Sequence, residues 1–270
     1  MTTTTATELA CLDGVTTPAG EASIPVVDEG FIRGDGVFEV MRVYDGRPYA
    51  LREHLDRLER SAANLRLGWD VPRAELEAEA EALLSERGGG EFDGALRVVL
   101  TRGGRRLLLT EQVPAGPEGG ARVGFVTFAP TRILDGVKSL SYAANMLAGR
   151  LARERGFDEA LLVTPHGRVL EAPTASVFWV NEGGELCTPP LEDHILASIT
   201  RQRVMALTEV RECHATTDDL LAAKEAFLAS TLREVGAIRA VEDRELPAVP
   251  GDRTREAADL LREDVRSSLG

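Results

Sequence analysis

Apolar and polar positions change their period several times along the chain, and each change marks an element. Gly36 to Val43 has the β-branched and aromatic content of a strand, and Asp45-Gly46 supplies a hairpin turn before Pro48 to Leu51. From Leu51 the apolar positions Leu51, Leu55, Leu58, Ala62 and Leu65 recur at helical spacing with charged residues between them, which predicts an amphipathic helix. A second helix is expected from Pro72 to the stop at Gly88-Gly89-Gly90. Strands are expected at Leu96 to Thr101 and Arg122 to Phe128, separated by a polar, glycine-rich stretch from Gly103 to Gly120. Ser139 to Arg155 reads as a helix closed by Gly156, followed by strands at Ala160 to Val163 and Ser176 to Val180. More helix is expected at Thr200 to Val210, Asp218 to Lys224 and Arg253 to Arg266. Strand, turn and helix alternate without repeats, so the expected class is mixed α/β (α+β) in two domains.

Composition narrows the partners. The 270 residues are 43% hydrophobic, enough for a large core, and the formal net charge of -13 disfavours nucleic acid and anionic lipid. A small-molecule partner fits better. Cys11, Cys187 and Cys213 are odd in number and scattered, which points to a reducing compartment, the cytoplasm, and to no disulfide framework or zinc site. The threonine-rich start, Met1 to Ala10, has no basic lead and no long apolar run, so neither a signal peptide nor a membrane anchor is expected. The four histidines lack the close spacing of a catalytic metal site, and no Gly-x-Ser-x-Gly elbow or phosphate loop is present.

Four stretches carry candidate chemistry. Lys138, one of very few lysines in an arginine-rich chain, follows Asp135-Gly136-Val137; a lysine taken alone is more often a solvated surface residue. Glu171 lies in a turn of small residues between two apolar strands, either as an exposed carboxylate or as the partner of a buried cation. Ile195 to Arg201 opens a helix with small and hydroxyl residues, Ser198 and Thr200 among them, either as an ordinary N-cap or as an anion site. Ala229-Ser230-Thr231 ends a predicted strand with a similar hydroxyl pair.

In this order, and together with Gly34 to Val40 and His54-Leu55-Asp56-Arg57-Leu58, these stretches resemble the class IV aminotransferases. That family of fold-type IV enzymes includes D-amino acid transaminases, branched-chain aminotransferases and aminodeoxychorismate lyases. The resemblance implies a small N-terminal α+β domain (1–128), an interdomain loop (129–134) and a larger barrel-like C-terminal domain (135–270), with pyridoxal 5'-phosphate (PLP) bound between the domains. It implies that Lys138 carries the cofactor as a Schiff base and moves the substrate proton, and that Glu171 pairs with the pyridine nitrogen. By the same resemblance Arg57, Ile199, Thr200 and Thr231 form the phosphate cup, Leu196 supports one face of the ring, and Ser230 lies near its oxygen substituents. Ser198 stands in that cup where the family usually has glycine, and Ala172-Pro173 replaces a more usual glycine-serine pair.

Val40-Met41-Arg42-Val43-Tyr44 and Lys138-Ser139-Leu140 look most like the D-amino acid transaminases. Those enzymes hold the substrate carboxylate with a tyrosine where this chain has Phe38, and with an arginine and a histidine where it has Arg105-Arg106 and no histidine. Phe38, Val40, Arg42, Arg105 and Arg106 are therefore the candidate substrate contacts. The expected reaction passes an amino group between a D-amino acid, with (R)-primary amines as further donors, and a 2-keto acid such as 2-oxoglutarate or pyruvate, in a homodimer. Branched-chain L-amino acid transfer, aminodeoxychorismate lysis and a noncatalytic scaffold stay open beside it.

Overall fold

The computed structural model describes residues 8–68 and 70–270, so Met1 to Thr7 of the threonine-rich start lie outside the described residues. The chain divides into two compact units. One holds the chain through Pro114 with Gly136–Ser141 and Leu269; the other holds Ala115–Asp135 and Tyr142–Ser268.

The first unit contains β1 (Leu9–Leu12), β2 (Val15–Pro18), α1 (Glu29–Arg33), β3 (Gly36–Tyr44), β4 (Arg47–Pro48), α2 (Leu51–Asn64), α3 (Arg73–Arg87), β5 (Gly94–Thr101) and β6 (Arg106–Glu111). Its six strands form an antiparallel sheet in the order β2-β1-β6-β5-β3-β4. Alternate residues of a strand point to opposite faces, and Val37, Met41 and Val43 of β3 join Leu55, Leu58 and Ala62 of α2 and Leu76, Ala80 and Leu83 of α3 in one core. Leu55 and Leu58 are each 2% exposed, and each contributes about 2 kcal/mol on burial. Phe38, Val40 and Arg42 therefore face the other way.

Three strands here are not expected from the sequence. β1 and β2 form a hairpin through Asp13 and Gly14, at φ 53° and 86°, a two-residue turn of the mirror-image kind that matches strand twist. β6 lies inside the stretch expected to be loop; its short run from Arg106 to Glu111 pairs along β5 from Leu100 to Ala95.

The second unit contains β7 (Ala121–Thr127), α4 (Ala143–Glu154), β8 (Glu159–Val163), β9 (Arg168–Val169), β10 (Ser176–Val180), β11 (Leu186–Thr188), α5 (Ile199–Leu207), β12 (Arg211–Glu212), β13 (Ala215–Thr216), α6 (Thr217–Leu221), β14 (Glu225–Ser230), β15 (Glu234–Val241), β16 (Arg244–Glu245) and α7 (Asp252–Leu269). Its ten strands make a mixed sheet, β12-β11-β10-β14-β15-β7-β8-β9-β13 with β16 on β15. β7 was expected in the N-terminal domain, but it pairs in parallel with β8 and β15 and so belongs to this sheet. Conversely, 136–141 packs with the first unit. The expected helix from Ser139 starts only at Ala143, because residues 138–140 run as an extended segment bonded to β3.

Candidate active site

The Lys138 peptide is held on three sides within the first unit. Phe38 N–H donates to the Lys138 carbonyl at 3.0 Å, Leu140 N–H donates to the Gly36 carbonyl at 2.9 Å, and Val37 bridges Ser139 antiparallel. Lys138 N–H donates to Ser61 Oγ on α2 at 3.1 Å, and Ser61 is fully buried. Gly36 allows this approach, since a Cβ there would fall 2.4 Å from the Leu100 carbonyl oxygen and 2.6 Å from Leu140 Cδ1. The clamp delivers Lys138 Nζ to 4.4 Å from the centre of the buried Phe38 ring, a cation over an aromatic face.

One turn of α2 and the inner face of β3 build a charged cluster beside it. Glu39, fully buried between Val37 and Met41, accepts from Arg57 Nε at 2.6 Å and Arg57 Nη2 at 2.7 Å, and lies 2.7 Å from His54 Nδ1. His54 and Arg57 stand three residues apart on α2, so both reach the same strand. Burial alone pushes the Glu39 carboxyl up, but hydrogen bonds from Arg57 and His54 and their charges outweigh it and hold it at about 2. Burial pushes His54 down, against the pull of Glu39, and the charges of Arg57 and Lys138 push it further down. Since an ionised carboxylate only accepts, the neutral imidazole donates from Nδ1.

Both depressed values make the fold acid-sensitive. His54 refuses a proton that the unfolded chain takes up near 6.5, so stability falls as pH drops through 6.5. Glu39 contributes stability in full above about 4.5, on the order of 3 kcal/mol, and loses it as pH falls towards about 2. Urea midpoints are expected to fall steadily from pH 7 to pH 4, with His54→Gln flattening the upper part of that decline; a flat wild-type profile over this range would contradict the assignment.

In the second unit the candidate acid is held by the backbone of the segment that opens α5. Both oxygens of Glu171 accept from Leu196 N–H, at 3.2 and 3.3 Å, and the flanking Leu170 and Ile195 share one buried cluster with Ala148 and Ala152 of α4. Two residues after Glu171, the Pro173 carbonyl accepts from Tyr142 Oη and, at 3.1 Å, from Asn145 Nδ2, and Ala172 bridges Ala175. The Ala172-Pro173 pair thus sits in a tied turn. Ser198 caps α5, its Oγ accepting Arg201 N–H at 3.3 Å; its φ of -69° asks for no glycine. Ile199 and Thr200 are buried in the first turn, where backbone N–H groups favour an anion. Ser230 ends β14, and its Oγ accepts Arg233 N–H across the turn that carries Thr231.

The candidate substrate contacts separate. Phe38 and Val40 share the outer face of β3. Arg42 shares it too, but is engaged by Asp93, by the carbonyls of Val43 and Gly94 at 2.7 Å each, and by the Tyr44 ring. Arg105 pairs with Asp13 at 2.7 Å, and Arg106 pairs with Glu75 at 2.9 Å and with Glu79. Both are occupied within their own unit. The residue that sequence reading passed over is Arg97: it stands opposite Val40 on β5, its guanidinium carbon lies 5.5 Å from the Phe38 ring centre, and its Nε donates to Glu111 at 2.9 Å. The signal was available in the two-residue period of β5, which turns Arg97 outward between the buried Leu96 and Val98.

A family model described as amino-transferase class IV matches residues 36–241. A putative branched-chain-amino-acid aminotransferase of Methanocaldococcus jannaschii is 33% identical, covering 96% of each chain. A D-alanine aminotransferase of Bacillus licheniformis is 31% identical, covering 92% of this chain and 93% of its own. Among solved structures, a hypothetical aminotransferase from Mycobacterium tuberculosis, in its alpha-ketoglutarate and PMP bound form, superposes with a TM-score of 0.86 at 25% identity over 96% of this chain and 99% of that one.

Proposed function

The chain belongs to the class IV aminotransferase family, PLP-dependent enzymes of fold type IV that work on an amino donor and a keto acid, and from that premise we propose that its donor is a D-amino acid. The keto acid acceptor is 2-oxoglutarate or pyruvate. The donor set suits PLP: a clamped lysine amine, a carboxylate fixed by a backbone N–H, a buried arginine, and a helix N-terminus capped by serine. When bound, PLP supplies the electron sink and the carbon that accepts the amino group.

In this reading Lys138 Nζ would hold the cofactor and, as the neutral amine, would take and pass on the substrate Cα proton. Glu171 would keep the pyridine nitrogen protonated, and Leu196 would support the ring. Arg57 offers a fork of donors to the phosphate, with Ile199, Thr200 and Thr231 adding N–H and hydroxyl groups beside the Ser198 cap. Ser230 would lie near the ring's oxygen substituents.

One observation carries the substrate assignment: a single buried ring, Phe38, meets both the Lys138 amine and the Arg97 guanidinium. Arg97 is then the anchor of the substrate carboxylate, taking the place expected of Arg105 or Arg106. Arg97→Leu is expected to lower kcat/KM for D-alanine about 30-fold, roughly 2 kcal/mol for a charged hydrogen bond, while leaving turnover of (R)-phenylethylamine, which has no carboxylate, unchanged. Equal losses on both donors would remove Arg97 from this role. The D-amino acid reading is supported by the B. licheniformis relative and by the Val40 to Tyr44 and Lys138 to Leu140 stretches.

A second reading, transfer from branched-chain L-amino acids, is favoured by the M. jannaschii relative and by the half-buried apolar neighbours of Arg97 on the same face, Val40 and Leu109. Separate cuvettes with D-alanine, L-leucine and aminodeoxychorismate, followed by absorbance of the lysine-bound cofactor, distinguish them. Faster conversion with D-alanine supports the first reading, and conversion with L-leucine alone supports the second. Pyruvate release from aminodeoxychorismate without an added keto acid makes the enzyme a lyase. The reading places the enzyme in the cytoplasm as a homodimer, in keeping with the exposed apolar Val26, Val27 and Phe31.

A further inference from the structure

Glu39 is costly where it stands. A carboxylate between Val37 and Met41, both fully buried, loses its hydration, and among the described residues the two bonds from Arg57 and the one from His54 compensate. An apolar trio of similar volume would serve the core as well, since replacing a buried ion pair by packed apolar side chains is often neutral or stabilising. Core packing alone therefore does not account for the choice of these three residues. Their geometry, however, does one thing an apolar trio cannot: engaged at Nε and Nη2, the guanidinium of Arg57 has its plane fixed in space by the carboxylate, and the carboxylate is fixed in turn by the imidazole.

We propose that Glu39 is the positioning residue for Arg57 as a phosphate-binding arm, with His54 locking Glu39 from the other side. The inference rests on the PLP reading above and adds to it how the phosphate grip is pre-oriented before the cofactor arrives. Glu39 touches neither substrate nor cofactor in this scheme; it acts through Arg57 alone.

The test is a double-mutant cycle read in PLP affinity, by absorbance titration of the apoenzyme and by retention of cofactor through gel filtration, beside the thermal midpoint of each apoenzyme. Glu39→Gln is expected to raise the PLP Kd about 10-fold, the scale at which supporting partners act on a bound group. Saturating PLP should return kcat to within about twofold of wild type, because Lys138 and Glu171 are untouched. In an Arg57→Lys background the same substitution should add less than about twofold, since the arm it aims is gone. His54→Gln, which leaves the Glu39–Arg57 pair in place, should give a smaller rise in the same direction and serves where Glu39→Gln folds poorly. An unchanged PLP Kd in Glu39→Gln and in His54→Gln, or losses that multiply with that of Arg57→Lys, would overturn the inference and leave Glu39 a purely structural residue. A wild-type chain that takes up no PLP would sink the cofactor reading first, so the two failures are told apart.

Discussion

Lys138→Ala is expected to lower the rate of amino transfer by at least about 10⁴-fold while the protein stays folded. The clamp that holds residue 138 uses the peptide group: its carbonyl accepts from Phe38 N–H, and its N–H donates to Ser61 Oγ. Alanine keeps all of this and loses the amine, together with a cation-aromatic contact worth about 0.5–1 kcal/mol. No other lysine stands in for it, since the chain's second lysine, Lys224, is exposed in the second unit between α6 and β14. Single-turnover measurements with D-alanine and the cofactor added in excess check the result, and a small primary amine in the buffer should restore part of the rate by serving as an external base. Residual activity within tenfold of wild type would remove Lys138 from the reaction.

Glu171→Gln is the second large effect, a loss on the order of 10²–10³-fold in kcat with little change in PLP affinity. Glutamine keeps the shape and still accepts from Leu196 N–H through its carbonyl oxygen, so the turn tied by Ala172 and Ala175 persists. What disappears is the negative charge that, in the proposed role, would keep the pyridine nitrogen protonated, an interaction that counts most when electron density flows into the ring. The half-reaction with D-alanine at saturating PLP separates this from a folding defect. An unchanged kcat would mean that Glu171 serves the turn alone.

Helix α2 was legible because one face buries against the core of the first unit: the spacing of Leu51, Leu55, Leu58 and Ala62 gives it almost to the residue. Lys138 and Glu171 stand out in the sequence through their motifs, but their local structure does not. The segment around Lys138 reads as the start of a helix, and only tertiary bonding to β3, a hundred residues earlier, holds it extended. Glu39 lies within the Gly34 to Val40 motif, but its immediate sequence neighbours do not tell which partners a buried carboxylate would meet. Its partners come from α2, fifteen and eighteen residues away. Arg97 and Arg106 show the same limit from the other side. Both are arginines of the β5–β6 hairpin, and only the register of β5 and β6 and the acids on α3 decide which is turned towards Phe38 and which is spent on Glu75 and Glu79.

The central claim, that Lys138 is the cofactor-bearing base, has a direct chemical test in a chain with two lysines. The purified protein is saturated with PLP, treated with borohydride to reduce the lysine linkage to a stable amine, digested, and mapped by mass spectrometry. The account predicts the phosphopyridoxyl group on the peptide containing Lys138, with Lys224 unmodified, and its absence from Lys138 when D-alanine has first converted the cofactor. Label on Lys224 alone, or none on either lysine, would contradict it.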